Sequence, residues 1–304
     1  MKRMICLAML LLAGCSSNKT PGQPLKFTYH PPDSVSFVVE LAMAQASAQG
    51  DQQNIDSTWT RTQHKQVAVP GGYELSGVTD SVLVFRNGQV VNDPIINLFA
   101  RGNIVYNIDT AGVVKEVRGY QELLDRLDQM VGADTAAAIR QMITAEALQQ
   151  QETATWNTKF APFVGREMAV GKVYCDTTYP NLPVEGRLTS YGITEILDTV
   201  RVGSKLCGRL LVTSSTNPAE LARITNRTEA DINKMFGLTS DVLTQAAGRQ
   251  AGLTSKREWL LEFETMLSHS EDSRQEAFYY ELSPSGLPVK YTIAETQSKR
   301  YIYP

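Results

Sequence analysis

Apolar and polar residues alternate through the first third of the chain, and that period of two predicts strands. Residues 35–43 are rich in β-branched and apolar side chains, 58–69 carry Trp59, Thr60, Thr62, Val67 and Val69, and 73–85 alternate well enough for one long strand. Asn87-Gly88 between Val82, Val84 and Val90, Val91 is the strongest short hairpin signal in the chain. A second hairpin is expected from 104–108 and 113–117 around Asp109-Thr110-Ala111-Gly112. The period then changes. Leu123, Leu124, Leu127, Met130 and Val131 fall on one face of a helix that Gly132 stops, and Asp134 is placed to cap a second helix with Ile139, Met142, Ile143 and Leu148 on its apolar side.

The second half repeats the order. Strands are expected at 168–179, 188–200 and 205–213. Short helices follow over 217–248, opened by Asn217-Pro218-Ala219-Glu220, an N-cap with Pro at the first helical position. Three strands, 258–267, 276–282 and 289–296, close the chain. The segments 104–113 and 278–287 align without gaps, Tyr106 on Tyr280 and Gly112 on Gly286; duplication and common turn chemistry both account for that. The fold class expected is α+β, dominated by antiparallel sheet, with two sequential sheet-plus-helix halves at 33–151 and 152–304 and a curved sheet wrapping helices.

The N-terminus breaks this pattern. Lys2 and Arg3 precede an apolar run, Ile5 to Leu12, too short to cross a bilayer, and Leu12-Ala13-Gly14-Cys15 ends it ahead of Ser16-Ser17-Asn18. This layout resembles the lipobox of bacterial lipoproteins over residues 1–15. The resemblance implies cleavage before Cys15 and acylation of that residue, so that 1–14 are a signal peptide and 15–32 an acylated cysteine with its tether. An ordinary signal peptide with a chance cysteine is the alternative. Because Ser16 rather than Asp follows Cys15, the family's sorting rule implies the periplasmic side of the outer membrane.

Composition narrows the function classes. Of 304 residues, 42% are hydrophobic and 20% charged, as in a core-forming globular chain. Without Lys2 and Arg3 the 29 basic residues become 27, set against 32 acidic ones. No basic cluster remains, so neither nucleic acid nor an anionic lipid surface is an expected partner. His30, His64 and His269 have no ligand partners at helical or strand spacing and are read as surface residues, and no cofactor or metal is expected. No nucleophile elbow, phosphate loop or dinucleotide fingerprint occurs. Glu122, Asp125 and Asp128 line the polar face of the first helix, and Glu262 with Glu264 share one face of a strand; both groups read as solvated. Tyr279, Tyr280, Tyr291, Tyr301 and Tyr303 crowd the last strands, where they either line a groove or simply follow β propensity.

Strands, a helical interruption and further antiparallel strands, with Tyr280–Leu287 written Tyr-x-Leu-x-x-x-Gly-Leu, resemble the periplasmic lipoprotein carriers and the related sigma-factor regulatory sensors. The chain resembles uncharacterised two-part envelope lipoproteins as well. The carrier resemblance implies a curved sheet around helices with an apolar cavity; the chain departs from it in length, in its own anchor and in its helical insertions. Together these readings point to a non-catalytic binding or assembly module for an apolar ligand or an envelope protein, attached to the membrane by its lipid. An envelope hydrolase with a dispersed site is the alternative. Once Cys6 leaves and Cys15 is acylated, Cys175 and Cys207 are the remaining thiols, and an oxidising compartment favours a disulfide between them. A flat meander of 168–179, 188–200 and 205–213 opposes that pairing, because its outer strands lie about 10 Å apart and a disulfide needs Cα atoms within roughly 7 Å.

Overall fold

The computed structural model describes residues 24–49, 52–131, 136–137, 139–140, 143–178, 189–221, 251–282 and 288–304. Two meanders form the body. The first runs through β2 (Ser34–Gln49), β3 (Gln52–Val69), β4 (Gly72–Arg86), β6 (Val105–Asp109) and β7 (Val114–Arg118), with short β5 (Gln89–Val91) paired to β4. The second runs through β9 (Val173–Thr178), β10 (Ser190–Val202), β11 (Lys205–Thr216), β12 (Ala251–Glu262), β13 (Ser268–Leu282) and β14 (Pro288–Ile302). Antiparallel pairing of β14 with β2, from Tyr291↔Gln49 to Ile302↔Val38, joins the two into one sheet of 12 strands.

That junction corrects the expected fold class. The protein is one large antiparallel sheet with a few short helices, not an α+β pair of sheet-plus-helix halves. The physical reason is long-range. Each half ends in a strand with unpaired backbone groups, and the two strands satisfy one another.

Local signals place the turns. Asn87 (φ 48°) and Gly88 (φ 80°) both take the left-handed region that a two-residue hairpin turn demands, and the Asn87 side chain accepts the Ile55 N–H at 3.0 Å. In the β6–β7 turn, Asp109 Oδ1 accepts from the N–H groups of Ala111 and Val113, each at 2.9 Å. Register shifts at Arg61/Thr62, Asn107/Ile108, Ile196/Asp198 and Leu260/Leu261 mark bulges, which bend and twist a sheet.

Three helices cover one end of the inner face: α1 (Pro94–Ala100), α2 (Tyr120–Val131) and α3 (Ala145–Phe160). α2 buries Tyr120, Leu123, Leu124 and Leu127, at i, i+3, i+4 and i+7, while Met130 of the expected face is 48% exposed. It begins after Gly119 (φ +106°), where a Cβ would sit 2.1 Å from the Asn103 carbonyl oxygen. α1 was not among the expected elements, although Asp93 caps it by accepting from Ile95 and Ile96 N–H and Pro94 opens it. Of the helix expected from Asp134, residues 134–135, 138 and 141–142 lie outside those described; 136–137 and 139–140 are helical, and 143–144 interrupt the segment. The segment beyond it is α3, capped by Thr144 and running to Phe160. The helices expected after Asn217–Leu221 also lie outside the described residues, as does half of the 278–287 segment of the suspected repeat.

α3 seals one edge of the sheet. The Asn157 amide accepts from Val114 N–H at 2.9 Å and donates to Val114 O at 3.2 Å, and Trp156 Nε1 donates to Gly112 O at 3.1 Å. Ahead of β2, β1 (Leu25–Lys26) pairs with β8 (Glu167–Met168). Phe27 is fully buried, stacked on Phe263 at 4.5 Å and edge-on to Phe163 at 6.1 Å. The chain is therefore anchored into the core well before position 32, the expected end of the tether.

The disulfide between Cys175 and Cys207 is a second correction, since both are free thiols. β9 and β11 flank β10 on opposite sides. Cys175 pairs with Ile193 and Cys207 with Val200, so the thiols stand two strands and seven positions apart. That is more than 20 Å at about 3.3 Å per residue, far beyond what a disulfide reaches. Cys207 is buried, and burial together with nearby Glu262 pushes its thiol up to about 11. Cys175 is exposed. In the native protein a thiol reagent should therefore modify Cys175 and spare Cys207 until the chain is unfolded. Protection of both residues, restored to reactivity by reductant, would reinstate the bridge.

Candidate functional site

The register sorts strand residues onto two faces. The inner face holds the core beside the helices: Phe37 and Val39 of β2, Tyr73 and Leu75 of β4, Ile196 of β10, Leu210 of β11, and Trp259 and Leu261 of β12. The outer face has no layer against it among the described residues and is hollowed by two depressions. β2 writes Ala42, Ala44, Ala46 and Ala48 at alternate positions there, so a low floor of methyl groups lies at the middle of the sheet. Trp59 pairs with Ala42 and with Leu83, which raises an apolar wall beside that floor.

The first depression, about 600 Å³, has Ala42, Ala44 and Ser298 below, Trp59 and Phe85 on one side, and Glu258 and Asp272 on the other. The second, about 750 Å³, lies over β9, β10 and β11, with Tyr191 and Ile193 among its apolar lining. Both volumes lie in the range of small-molecule sites. Lys256 and Arg274 border both depressions, which makes them one furrow with a basic waist. Within it Tyr191 (51%) and Ile193 (43%), and beside it on the same face Ile55 (45%) and Leu83 (45%), stay open to solvent.

The carrier resemblance implies an apolar cavity between the sheet and its helices. α2 instead packs its apolar stripe tightly into the core, and the furrow is on the opposite face of the sheet. The residues after 221 lie outside those described. Two of the C-terminal tyrosines lie away from the furrow. Tyr301 and Tyr303 pack on Phe37 at ring distances of 6.1 and 5.3 Å, inside the core.

Behind the furrow the inner face holds an ionic cluster that the sequence reading missed. Glu271, 3% exposed, is bonded to Lys159 at the end of α3. It also faces Arg257 Nε at 3.3 Å and Lys299 Nζ at 3.8 Å, and the Tyr301 hydroxyl donates to it at 3.5 Å. Burial alone would raise its carboxyl, but Lys159, Lys299 and Arg257 hold it below its ordinary value. Burial drives Lys159 down to about 7, with Lys299 and Arg257 adding to the effect and Glu271 opposing it. Lys159 also lies 5.2 Å from the Phe160 ring centroid and 5.0 Å from that of Trp259. The cluster ties α3 to β12, β13 and β14 at once.

Two of the three expected surface histidines are not on the surface. His269 Nε2 bonds Glu262 Oε1 at 2.8 Å, edge-on to Tyr303, while Thr265 donates to the other Glu262 oxygen at 2.5 Å. Burial would raise the Glu262 carboxyl, yet the bonds from His269 and Thr265 keep it below its ordinary value. His64 stacks on Phe37 at 5.2 Å, and burial pulls it down to about 4. His30 is exposed as expected. Glu262 and Glu264 part company because β12 ends at Glu262; Glu262 turns inward and Glu264 is 83% exposed. Asp125 and Asp128 remain on the polar face of α2 and hold Arg140 at 2.8 and 2.9 Å. Among the described residues no group of His, Cys, Asp or Glu is arranged to hold a metal ion, and no helix is long and apolar enough to cross a membrane.

No protein-family model and no curated protein matches the chain. Among solved structures it shows a faint likeness to a loop L8 deletion mutant of OmpT, an outer membrane protein of Vibrio cholerae, at 8% identity and a TM-score of 0.20 over 88% of this chain and 99% of that one. Pseudomonas aeruginosa OccK5 (OpdH) gives 7% and 0.23 over 90% and 100% of the two chains, and OpdQ of the same organism 5% and 0.21 over 90% and 99%. Likeness at this level carries no argument about this protein.

Removing the shared carboxylate leaves three neighbouring cations uncompensated, so Glu271→Gln should destabilise the fold by about 3–5 kcal/mol. Because Glu271 titrates below its ordinary 4.5 in the fold, its contribution is present above that value and lost as pH falls through the depressed one. Urea denaturation across pH should thus show a steeper acid loss in the wild type than in the variant. Equal midpoints at neutral pH would show that the cluster does not hold α3 down.

Proposed function

We propose that the chain is a lipoprotein, held on the periplasmic side of the outer membrane through an acylated Cys15, that binds an elongated apolar ligand in its outer-face furrow without catalysing a reaction on it. The observation that carries the binding reading is the furrow itself. An unpartnered sheet face normally carries polar side chains, whereas here a floor of Ala42 and Ala44 lies beside Trp59 and Phe85, and Tyr191 and Ile193 open a second apolar patch beyond the charged waist. Exposed apolar surface of this kind marks ligand grooves and interaction sites.

Support for the anchor is Leu12-Ala13-Gly14-Cys15 with its basic head and apolar run. Ser16 at the next position supports the outer membrane. Two or three acyl chains hold a protein firmly, where one chain binds only marginally. The most buried ion pairs, Lys159 with Glu271 at the end of α3 and His269 with Glu262, are each engaged internally and do not line the furrow, which supports a binding role over a hydrolytic one.

Two variants test the halves of this proposal. Cys15→Ser should change the mature mass by loss of the lipid and leave the protein uncleaved or soluble; unchanged mass and fractionation would overturn the anchor. Ala42→Trp fills the furrow floor from the outer face at an exposed position. It should strip apolar molecules that co-purify with the native protein, as read by mass spectrometry, while changing stability by less than about 1 kcal/mol, as exposed substitutions do. Identical co-purifying species in both proteins would remove the furrow as the ligand site.

A further inference from the structure

The waist of the furrow breaks a rule that the rest of the outer face obeys. Directly opposed residues on neighbouring strands favour opposite charge, and like charges there are unfavourable. Glu40 accordingly stands between Arg61 and Arg300, and Asp198 opposite Arg209. On β12 and β13, Lys256 faces Arg274, and two positions along, Glu258 faces Asp272. Among the described pairings of the large sheet these are the like-charge pairs, and they are adjacent. They form a basic row and an acidic row about 7 Å apart along the strands.

Partial relief comes from within each strand. Lys256 pairs with Glu258 at 2.8 Å and Arg274 with Glu276. These side chains are about half exposed or more, so such pairs contribute little to stability. The basic row borders both depressions, and the acidic row borders the first.

The geometry points to a zwitterionic headgroup seat: the furrow takes an ethanolamine glycerophospholipid, with its phosphate on Lys256 and Arg274 and its ammonium on Glu258 and Asp272. This inference rests on the reading of the furrow as a ligand site and specifies the ligand's class. A phosphate bridging the two cations, together with an ammonium bridging the two carboxylates, relieves both like-charge pairs at once. A headgroup carrying only an anion relieves one pair and adds a charge beside the acidic row. With the headgroup at the waist, an acyl chain can lie against Trp59, Phe85 and the alanine floor on one side, and against Tyr191 and Ile193, set among threonines and serines, on the other.

Trp59 lines the first depression, so its fluorescence can follow titration of the mature protein with dihexanoyl phosphatidylethanolamine and, separately, dihexanoyl phosphatidylglycerol. The ethanolamine lipid should bind about tenfold tighter or better, the worth of one charge-assisted hydrogen bond. The double variant Glu258→Gln/Asp272→Asn should lose that preference while still binding phosphatidylglycerol. Thermal melting of the variant checks that the fold is intact. Equal binding of the two lipids by the wild type would overturn the headgroup seat and leave the furrow as an unselective apolar site. A preference that survives in the variant would also overturn the seat. Absence of binding by either lipid would overturn the seat and the furrow reading together.

Discussion

The pairing of β2 with β14 is the constraint on which the architecture depends. It joins strands from the two ends of the chain, Ile302 beside Val38 and Tyr291 beside Gln49, and turns two meanders into one surface. Without it the inner face would be two separate sheets, each too narrow to cover the helices, and the outer face would have no middle. The Ala42 and Ala44 floor lies on β2, and the Lys256 and Arg274 waist on β12 and β13. Only the bridging β14 brings these into one furrow. Pairing over such a sequence distance carries a large loop-closure cost before it is rewarded, as in slow-folding all-β proteins.

The elements that the sequence made legible are the ones whose causes are local. Asn87-Gly88 reads as a tight turn because the dipeptide itself supplies the positive φ angles. The α2 stripe is legible because a 3.6-residue period needs no knowledge of what it packs on. α1 was locally marked as well, by Asp93 and Pro94, but seven residues are too few for a period to stand out. The fold class was misread because periodicity says that strands exist and not which of them are neighbours.

Site features were less legible, and for the same physical reason. Ser268-His269-Ser270-Glu271 is written as a polar turn, yet Glu271 is 3% exposed because α3, more than a hundred positions earlier, supplies Lys159 and the cover over it. The disulfide expectation failed on register alone: compartment and thiol count favour a bridge, while a position on β10 decides the distance. The alternating alanines of β2 are visible in the sequence, but which face they occupy is set by Phe37 and Val39 entering the core on the other.

The two lateral edges of the sheet differ in a way that governs self-association. At β7 the Asn157 amide takes up both backbone groups of Val114, so an incoming strand meets a helix there rather than free N–H and C=O groups. β9 ends the strand order on the other side. Continuous stacking of copies needs two complementary edges on every molecule, one to add to and one to offer. Where Asn157 caps Val114, strand addition is opposed at that position of the β7 edge.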